Sequence, residues 1–203
     1  MTKKILVLGN SPHINQIEFN RLDPTITTIG VNRIWLKHYP DYFFFNDYPI
    51  VKELERPDNK VHLAKLTQRS TCYSSSWIRH SSPRIPKWTR VHNVSYKNFF
   101  PGSVSNSMLL YRDAYLKDNL ENCKFYIAGV NLKFNPKKSH FWKSDDYQSL
   151  NNLGESWYLK RFDLMFNNFK RLKNLGFNIV SCTPDSRLNK IFRYQNVSNL
   201  YSK

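Results

Sequence analysis

The sequence predicts a single α/β domain with a mostly parallel sheet and helices on both of its faces, and three observations point to it. Short apolar runs recur along the 203 residues, and each ends in glycine or a small polar side chain, as buried parallel strands do. Segments of helical spacing or turn composition lie between those runs, which gives the alternation of a layered α/β fold. The length supports one full hydrophobic core and would leave two cores thin, so the whole chain, 1–203, is expected to form one domain.

The first run, Lys4 to Leu8, stops at Gly9 and reads as a strand entering a tight turn. Thr27 to Val31 repeats the pattern and ends at Asn32; Tyr42 to Phe45 ends in Asn46-Asp47. Ile14 to Leu22 and Arg33 to His38 have the lengths of short crossover helices or turns. Val61 to Leu66 is a candidate fourth strand. Residues 67–101, rich in Ser, Pro and Arg, show no regular period and read as a long basic loop leaving the sheet. Helical spacing resumes from Ser103 to Leu116, and Phe125 to Ala128, closed by Gly129-Val130-Asn131, reads as a central strand. Residues 135–151 are again aperiodic and read as a second loop over the site. In Glu155 to Leu175, apolar Tyr158, Phe162, Met165, Phe169 and Leu172 recur at helical steps, Asn152 and Glu155 stand at capping-box spacing, and Gly176 marks the stop. Phe177 to Cys182 forms a last strand, and Thr183-Pro184-Asp185-Ser186 leads into a short helix ending near Tyr194. A Rossmann-like sheet accounts for this order.

Composition narrows the function. No run of about 18 apolar residues occurs, and Met1-Thr2-Lys3-Lys4 leads directly into a strand, so neither a membrane span nor a signal peptide is expected. Cys72, Cys123 and Cys182 are widely spaced with no C-x-x-C pair, which disfavours a disulfide framework or a cysteine zinc site and fits a reducing cytoplasm. The formal charge is +16, and no acidic residue lies between Asp58 and Asp113. That interval carries Arg69, Arg79, Arg84, Lys87 and Arg90 with aromatic Trp77, Trp88 and Tyr96 among them, a mixture suited to phosphates and stacked bases. A solvated basic face over core aromatics is the alternative reading.

The strand ends carry the chemistry. Gly9-Asn10-Ser11-Pro12 lets backbone approach a phosphate or ribose but lacks the later glycines of G-x-G-x-x-G, which disfavours a dinucleotide-binding dehydrogenase. Gly30-Val31-Asn32, Phe45-Asn46-Asp47, Gly129-Val130-Asn131 and Cys182-Thr183-Pro184-Asp185-Ser186 follow in order. This series resembles the bacterial lipooligosaccharide sialyltransferases, whose corresponding turns read Gly-Asn-Gly-Pro-Ser, Asn, aromatic-Asn, Gly-Ile-Asp and Cys-Pro-Asn-Ser. The likeness covers most of the chain, and the shared order of short motifs is its specific part.

The resemblance implies a GT-A-like variant of the Rossmann-like sheet and metal-independent transfer from a CMP-sugar, which is a co-substrate, with no cofactor. It assigns Gly9, Asn10, Ser11, Asn32, Asn46, Ser103, Ser105, Gly129, Asn131, Pro184 and Ser186 to the nucleotide. Asparagines suit the work because they donate and accept hydrogen bonds without adding negative charge beside a phosphate; turn and cap formation is their alternative role. The family's catalytic His has no counterpart near Glu155-Ser156-Trp157-Tyr158, so His140, Asp145, Asp146 and Glu155 remain as candidate bases. Lys133, with Lys137 and Lys138 beyond it, stands where the family uses tyrosine hydroxyls against the departing phosphate.

The basic stretch extends the reading to the acceptor. By analogy of role with phage enzymes that glycosylate 5-hydroxymethylcytosine, the expected partner is double-stranded DNA, with arabinose as a candidate sugar and the host cytoplasm as the location. Arg69, Arg79, Arg84, Lys87, Trp88 and Arg90 are the candidate contacts. A cell-surface oligosaccharide acceptor and a non-catalytic nucleic-acid-binding module are the alternatives.

Overall fold

A computed structural model describes residues 2–75, 86–92, 102–116, 119–133 and 155–202. Seven parallel strands form one sheet: β1 (Lys3–Leu8), β2 (Thr27–Val31), β3 (Tyr42–Phe44), β4 (Thr71–Ser75), β5 (Arg90–His92), β6 (Cys123–Ala128) and β7 (Ile179–Ser181), in the order β5-β4-β3-β2-β1-β6-β7. β1 lies between its two longest partnerships, with Leu8 level with Gly30 on β2 and with Ala128 on β6. Its apolar residues divide by the strand's two-residue period. Ile5 and Val7 enter a core with Met108, Phe125 and Phe169, while Leu6 and Leu8 enter the opposite core with Ile14, Trp35 and Phe43. A strand covered on both faces needs an unbroken apolar run, and this is why its sequence does not alternate.

The first core is roofed by helices α3 (Ser103–Tyr111) and α4 (Glu155–Asn174). The second is covered by α1 (Tyr48–Leu54), α2 (Lys60–Arg69), the 3-10 turns Pro12–Gln16 and Asn32–Leu36, and the carboxyl-terminal segment around Leu200. Helices therefore lie on both faces. α4 stops in a Schellman motif: Gly176, at φ +87, donates to the Lys173 carbonyl, and Phe177 donates to that of Leu172, with both apolar partners of the motif buried.

Three expectations change. Val61 to Leu66 lies inside α2, where Leu66 alone of the helix is fully buried; Lys60 and Lys65 favour helix and stay in solvent. The stretch read as a loop from residue 67 includes the end of α2 and the strands β4 and β5, while 76–85 and 93–101 lie outside the described residues. β4 escaped the apolar pattern because its inward residues include hydroxyls: Ser74 and Ser75 are completely buried, and Ser75 Oγ donates to Asn46 Oδ1 at 2.8 Å. The short helix before Tyr194 is a 3-10 turn, Arg187–Lys190, capped by Ser186 Oγ, which accepts from the Leu188 amide. The loop at 135–151 and the capping Asn152 lie outside the described residues.

All three cysteines are buried and unpaired, and burial pushes the Cys72 and Cys182 thiols up to about 12. Among the described residues no helix is long and apolar enough to cross a membrane.

One buried ion pair joins the turn after β2 to the helix after β3. Arg33, just after β2, sets its Nε 2.7 Å from both carboxylate oxygens of Glu53 on α1, and its Nη2 2.5 Å from Oε2; the side chains are 7% and 17% exposed. Removing one partner leaves the other charge uncompensated. Glu53→Ala is expected to lower unfolding free energy by about 3 kcal/mol, seen in urea as a lower midpoint. An unchanged midpoint would show that the pair bears no weight in the fold.

Candidate functional site

Because every strand is parallel, all the carboxyl ends meet one edge. The sheet order places five of them side by side: Asn46 after β3, Asn32 after β2, Asn10 after β1, Asn131 after β6 and Pro184 after β7. At about 4.8 Å between strands, these ends span roughly 19 Å. The chain order reverses between β1 and β6, which makes this the switch point where ligands of open α/β sheets bind.

Two glycines let the turns at that point meet. The Gly9 amide donates to the Ala128 carbonyl and the Ser11 amide to that of Gly129, both at 2.8 Å. A Cβ at Gly9 would stand 2.4 Å from the Gly129 oxygen, and one at Gly129, whose φ is +73, would stand 2.5 Å from Ile14 Cδ1. No side chain fits either position. The next residue is fixed from β7: the Val130 amide donates to Thr183 Oγ1 at 3.2 Å, and Ser186 Oγ donates to the Val130 carbonyl at 2.6 Å. The Arg187 amide then donates to the Asn131 carbonyl at 2.9 Å. Asn131 is thus positioned by backbone bonds on both sides of it.

On the β2 side, Asn32 adopts a left-handed φ of 51, a conformation asparagine tolerates better than most residues. Its Nδ2 donates to Ser103 Oγ at 3.2 Å, which brings the amino terminus of α3 to the crevice. Gly102 precedes that helix at φ +117 and provides no side-chain cap; a Cβ there would lie 3.2 Å from Met165 Cγ, so α4 closes against the same spot. The first-turn amides of α3 and the helix dipole favour an anion here. Three buried side-chain atoms on the turns after β1 and β2, Asn10 Oδ1, Ser11 Oγ and Asn32 Oδ1, have no hydrogen-bond partner among the described residues. Unpaired buried polar atoms cost about 1–3 kcal/mol each unless something binds them.

Other candidates stand differently. Asn46 is held by Ser75. Ser105 donates to the Gly102 carbonyl at 3.1 Å within the first turn of α3, and Ser186 both donates and accepts inside the protein, so these two hydroxyls are engaged in building the turns. Pro184 and Gly129 border a hollow of about 220 Å³ whose other wall holds His13, Gln16, Tyr194 and Asn196; it opens on the face opposite α3. Lys133 and Glu155 are exposed, and Glu155 is the first residue of α4. His140, Asp145 and Asp146 lie outside the described residues, as do Arg79 and Arg84.

Arg69 ends α2 at the amino edge of the sheet, away from the crevice, while Lys87 and Arg90 are exposed at the β5 edge. Trp88 packs on Phe45, with ring centroids 5.4 Å apart, and lies partly buried at the margin of the core.

Sequence reading passed over Asp47. It follows Asn46 directly, is open to solvent and yet recessed among protein atoms, and this desolvation lifts its carboxyl above the ordinary value, with the nearby Arg161 guanidinium pulling the other way. The Asn46-Asp47 pair was visible at a strand end, whereas nothing in the helix pattern marked Arg161.

No family model matches the chain, and no curated protein matches it. Solved structures do. The sialyltransferase CstII from Campylobacter jejuni, in complex with cytidine-5′-monophosphate, is similar at TM-score 0.55 and 13% identity over 99% of this chain and 87% of that one. The same enzyme with CMP-3FNeuAc gives 0.53 and 14% over 100% and 89%. Sialyltransferase CST-II with a trisaccharide acceptor and CMP gives 0.54 and 14% over 99% and 88%. At these identities the likeness establishes the fold: this chain has the sheet and helix arrangement of those sialyltransferases.

The recessed Asp47 makes a signed prediction. Its folded carboxyl binds its proton more tightly than the unfolded chain does, so stability falls as pH rises from about 3.8 through the raised folded value, and the cost is complete above it. Asp47→Asn is expected to melt at a higher temperature than the parent at pH 7, with the gain vanishing below pH 3.8. Equal melting temperatures at pH 7 would contradict the desolvated placement.

Proposed function

We propose that this protein is a glycosyltransferase that takes a sugar from a CMP-linked donor, without a metal, and passes it to an acceptor hydroxyl. One observation carries the reading: Asn10 and Ser11 at the switch point, and Asn32 beside the uncapped start of α3, leave buried oxygens unpartnered. Those groups suit a ligand that offers hydroxyl donors and a phosphate together, as a nucleotide does. Similarity to CMP-bound sialyltransferase structures supports cytidine as the base.

In this proposal the acceptor oxygen attacks the anomeric carbon as the bond from that carbon to the phosphate oxygen breaks. Glu155, at the head of α4 and the one candidate base within the described residues, takes the acceptor's proton. CMP departs with the electron pair of the broken bond, and the first-turn amides of α3 with Lys133 balance the charge that gathers on its phosphate. An oligosaccharide hydroxyl is the proposed acceptor, supported by the neighbour solved with a trisaccharide acceptor.

A second reading keeps the donor and makes 5-hydroxymethylcytosine in duplex DNA the acceptor, with arabinose as the sugar. It is favoured by the charge of +16 and by the acid-free interval between Asp58 and Asp113.

CMP release from a CMP-sugar, followed with an oligosaccharide, hydroxymethylated duplex DNA and unmodified DNA in separate arms, tests both. The oligosaccharide arm is expected to stimulate release, and Glu155→Gln to lower kcat by about 10²–10⁴. Stimulation by hydroxymethylated DNA alone would move the acceptor to the second reading. Full activity in Glu155→Gln would remove that residue from the chemistry, and no CMP release in any arm would remove the transferase reading.

A further inference from the structure

We propose that the hollow on the face opposite α3, between the ends of β6 and β7 and the carboxyl-terminal segment, is a second binding site that takes one neutral pyranose unit of a glycan. It is separate from the nucleotide crevice and uses no transfer chemistry, so it stands whether or not the chain is a transferase.

The hollow is built on the sheet. Its floor includes Ala128, the last residue of β6, and Cys182, the first after β7. Its sides are the chain from the Pro12–Gln16 turn to Glu18 and the segment from Tyr194 to Ser198. Main-chain bonds tie both sides down. Tyr194 forms a parallel bridge with Ser181, whose amide donates to the Arg193 carbonyl at 3.0 Å and whose carbonyl accepts from the Gln195 amide at 2.9 Å. Across from it the Glu18 amide donates to the Tyr201 hydroxyl at 2.9 Å, and Tyr201 bridges to Leu22. A site formed before its ligand arrives loses little ordering entropy on binding.

Charge decides the class of ligand. Among the described residues that line the hollow there is no lysine or arginine, in a chain that has 31 of them. The one carboxylate, on Glu18, is paired with Arg21 at 3.2 Å, and the Cys182 thiol, pushed up to about 12 by burial, keeps its proton. A phosphate would find no cation here, which sets this hollow apart from a site for nucleotides, nucleic acid or anionic headgroups.

The polar groups are amides, a hydroxyl and an imidazole. Asn196 Oδ1 accepts from the Ser198 amide at 3.0 Å, which fixes the amide plane and leaves Nδ2 to donate. Gln16 is exposed beside it, and His13 Nδ1 is buried with no partner among the described residues. Such a set donates and accepts at once, as neighbouring ring hydroxyls require. Ile17, Val197 and the Tyr194 ring, 41% exposed, supply the apolar surface that the C–H face of a pyranose needs. The volume of about 220 Å³ equals the share of roughly seven waters. That suits a single sugar ring and falls below the ~300–1,000 Å³ of sites for larger ligands.

Saturation-transfer NMR on the full chain tests the site, with neutral methyl pyranosides of glucose, galactose, mannose and N-acetylglucosamine as probes. At least one is expected to receive saturation on its ring C–H protons and to shift the amides of Gln16, Tyr194, Asn196 and Ser198. Tyr194→Ala and Asn196→Asp should weaken that binding by about tenfold or more. Aspartate still caps the Val197–Leu200 turn, so the second variant loses the donor and keeps the fold. Tyr194→Phe, which retains a ring, should weaken binding less, and circular dichroism spectra matching wild type show that each variant is folded. The proposal is overturned if no pyranoside receives saturation, if the shifts fall on another surface, or if binding survives both Tyr194→Ala and Asn196→Asp. Displacement of the sugar by CMP would also overturn it, because the hollow would then be part of the nucleotide crevice. Calorimetry with CMP alone reports on the transferase reading, so each can fail without the other.

Discussion

Where β1 and β6 end, two turns run so close together that backbone packs on backbone. The Gly9 and Ser11 amides reach the Ala128 and Gly129 carbonyls, and the space a Cβ would need at Gly9 or Gly129 is already filled. This contact sits at the point where successive strands stop adding on one side of β1 and begin adding on the other. Because the turns are bonded to each other, Asn10 and Ser11 are delivered to one side of the junction and Asn131 to the other. The constraint then spreads outward: Val130 is fixed through both its backbone groups by Thr183 and Ser186, and Arg187 holds Asn131 in turn. A row of polar side chains on short loops would otherwise be mobile; here each is tied by main-chain bonds to a buried strand.

The helical roof completes the crevice by bringing opposite properties to it. α3 contributes an uncapped amino terminus, suited to negative charge, and Asn32 bonds to its first residue. α4 closes against Gly102 through Met165 and extends Arg161 and Trp157 beyond it. The Arg33–Glu53 pair keeps the Asn32 turn and the helix after Asp47 in register. The result is a groove with an anion-tolerant floor, unpartnered oxygens along it, and one recessed carboxylate at its rim. Desolvating Asp47 costs stability, and sites that bind ligands commonly carry such costs.

Much of this was legible because burial on both faces writes itself into sequence. β1, β2, β3 and β6 show as apolar runs ending in glycine or asparagine, and α4 shows through the spacing of its apolar residues. β4 did not, because Ser74 and Ser75 fill interior positions with hydroxyls whose burial depends on a partner, Asn46, almost thirty residues away. β5 has three residues at the sheet edge, too few to carry a pattern. In the site, the asparagines were recognisable from their places at strand ends. Ser105 and Ser186 looked alike as candidates, since sequence cannot distinguish a hydroxyl free for a ligand from one bonded to a nearby carbonyl. Arg161 and Trp157, one turn apart on α4, bring a guanidinium over an indole ring, a pairing that the apolar spacing of the helix does not mark. Trp88, read from sequence as a stacking residue among arginines, packs on Phe45 at the margin of the core, a contact between segments that the sequence keeps far apart.

In the proposed transferase the paired turns of β1 and β6, with the β2 turn and the start of α3, form one nucleotide site. Amide chemical-shift mapping during a titration with CMP tests it most directly. Perturbations are expected to concentrate at Gly9 to Ser11, Asn32, Gly102 to Val104 and Gly129 to Asn131, saturating together with a single affinity. Perturbations confined to another surface, or none at millimolar CMP, would contradict it.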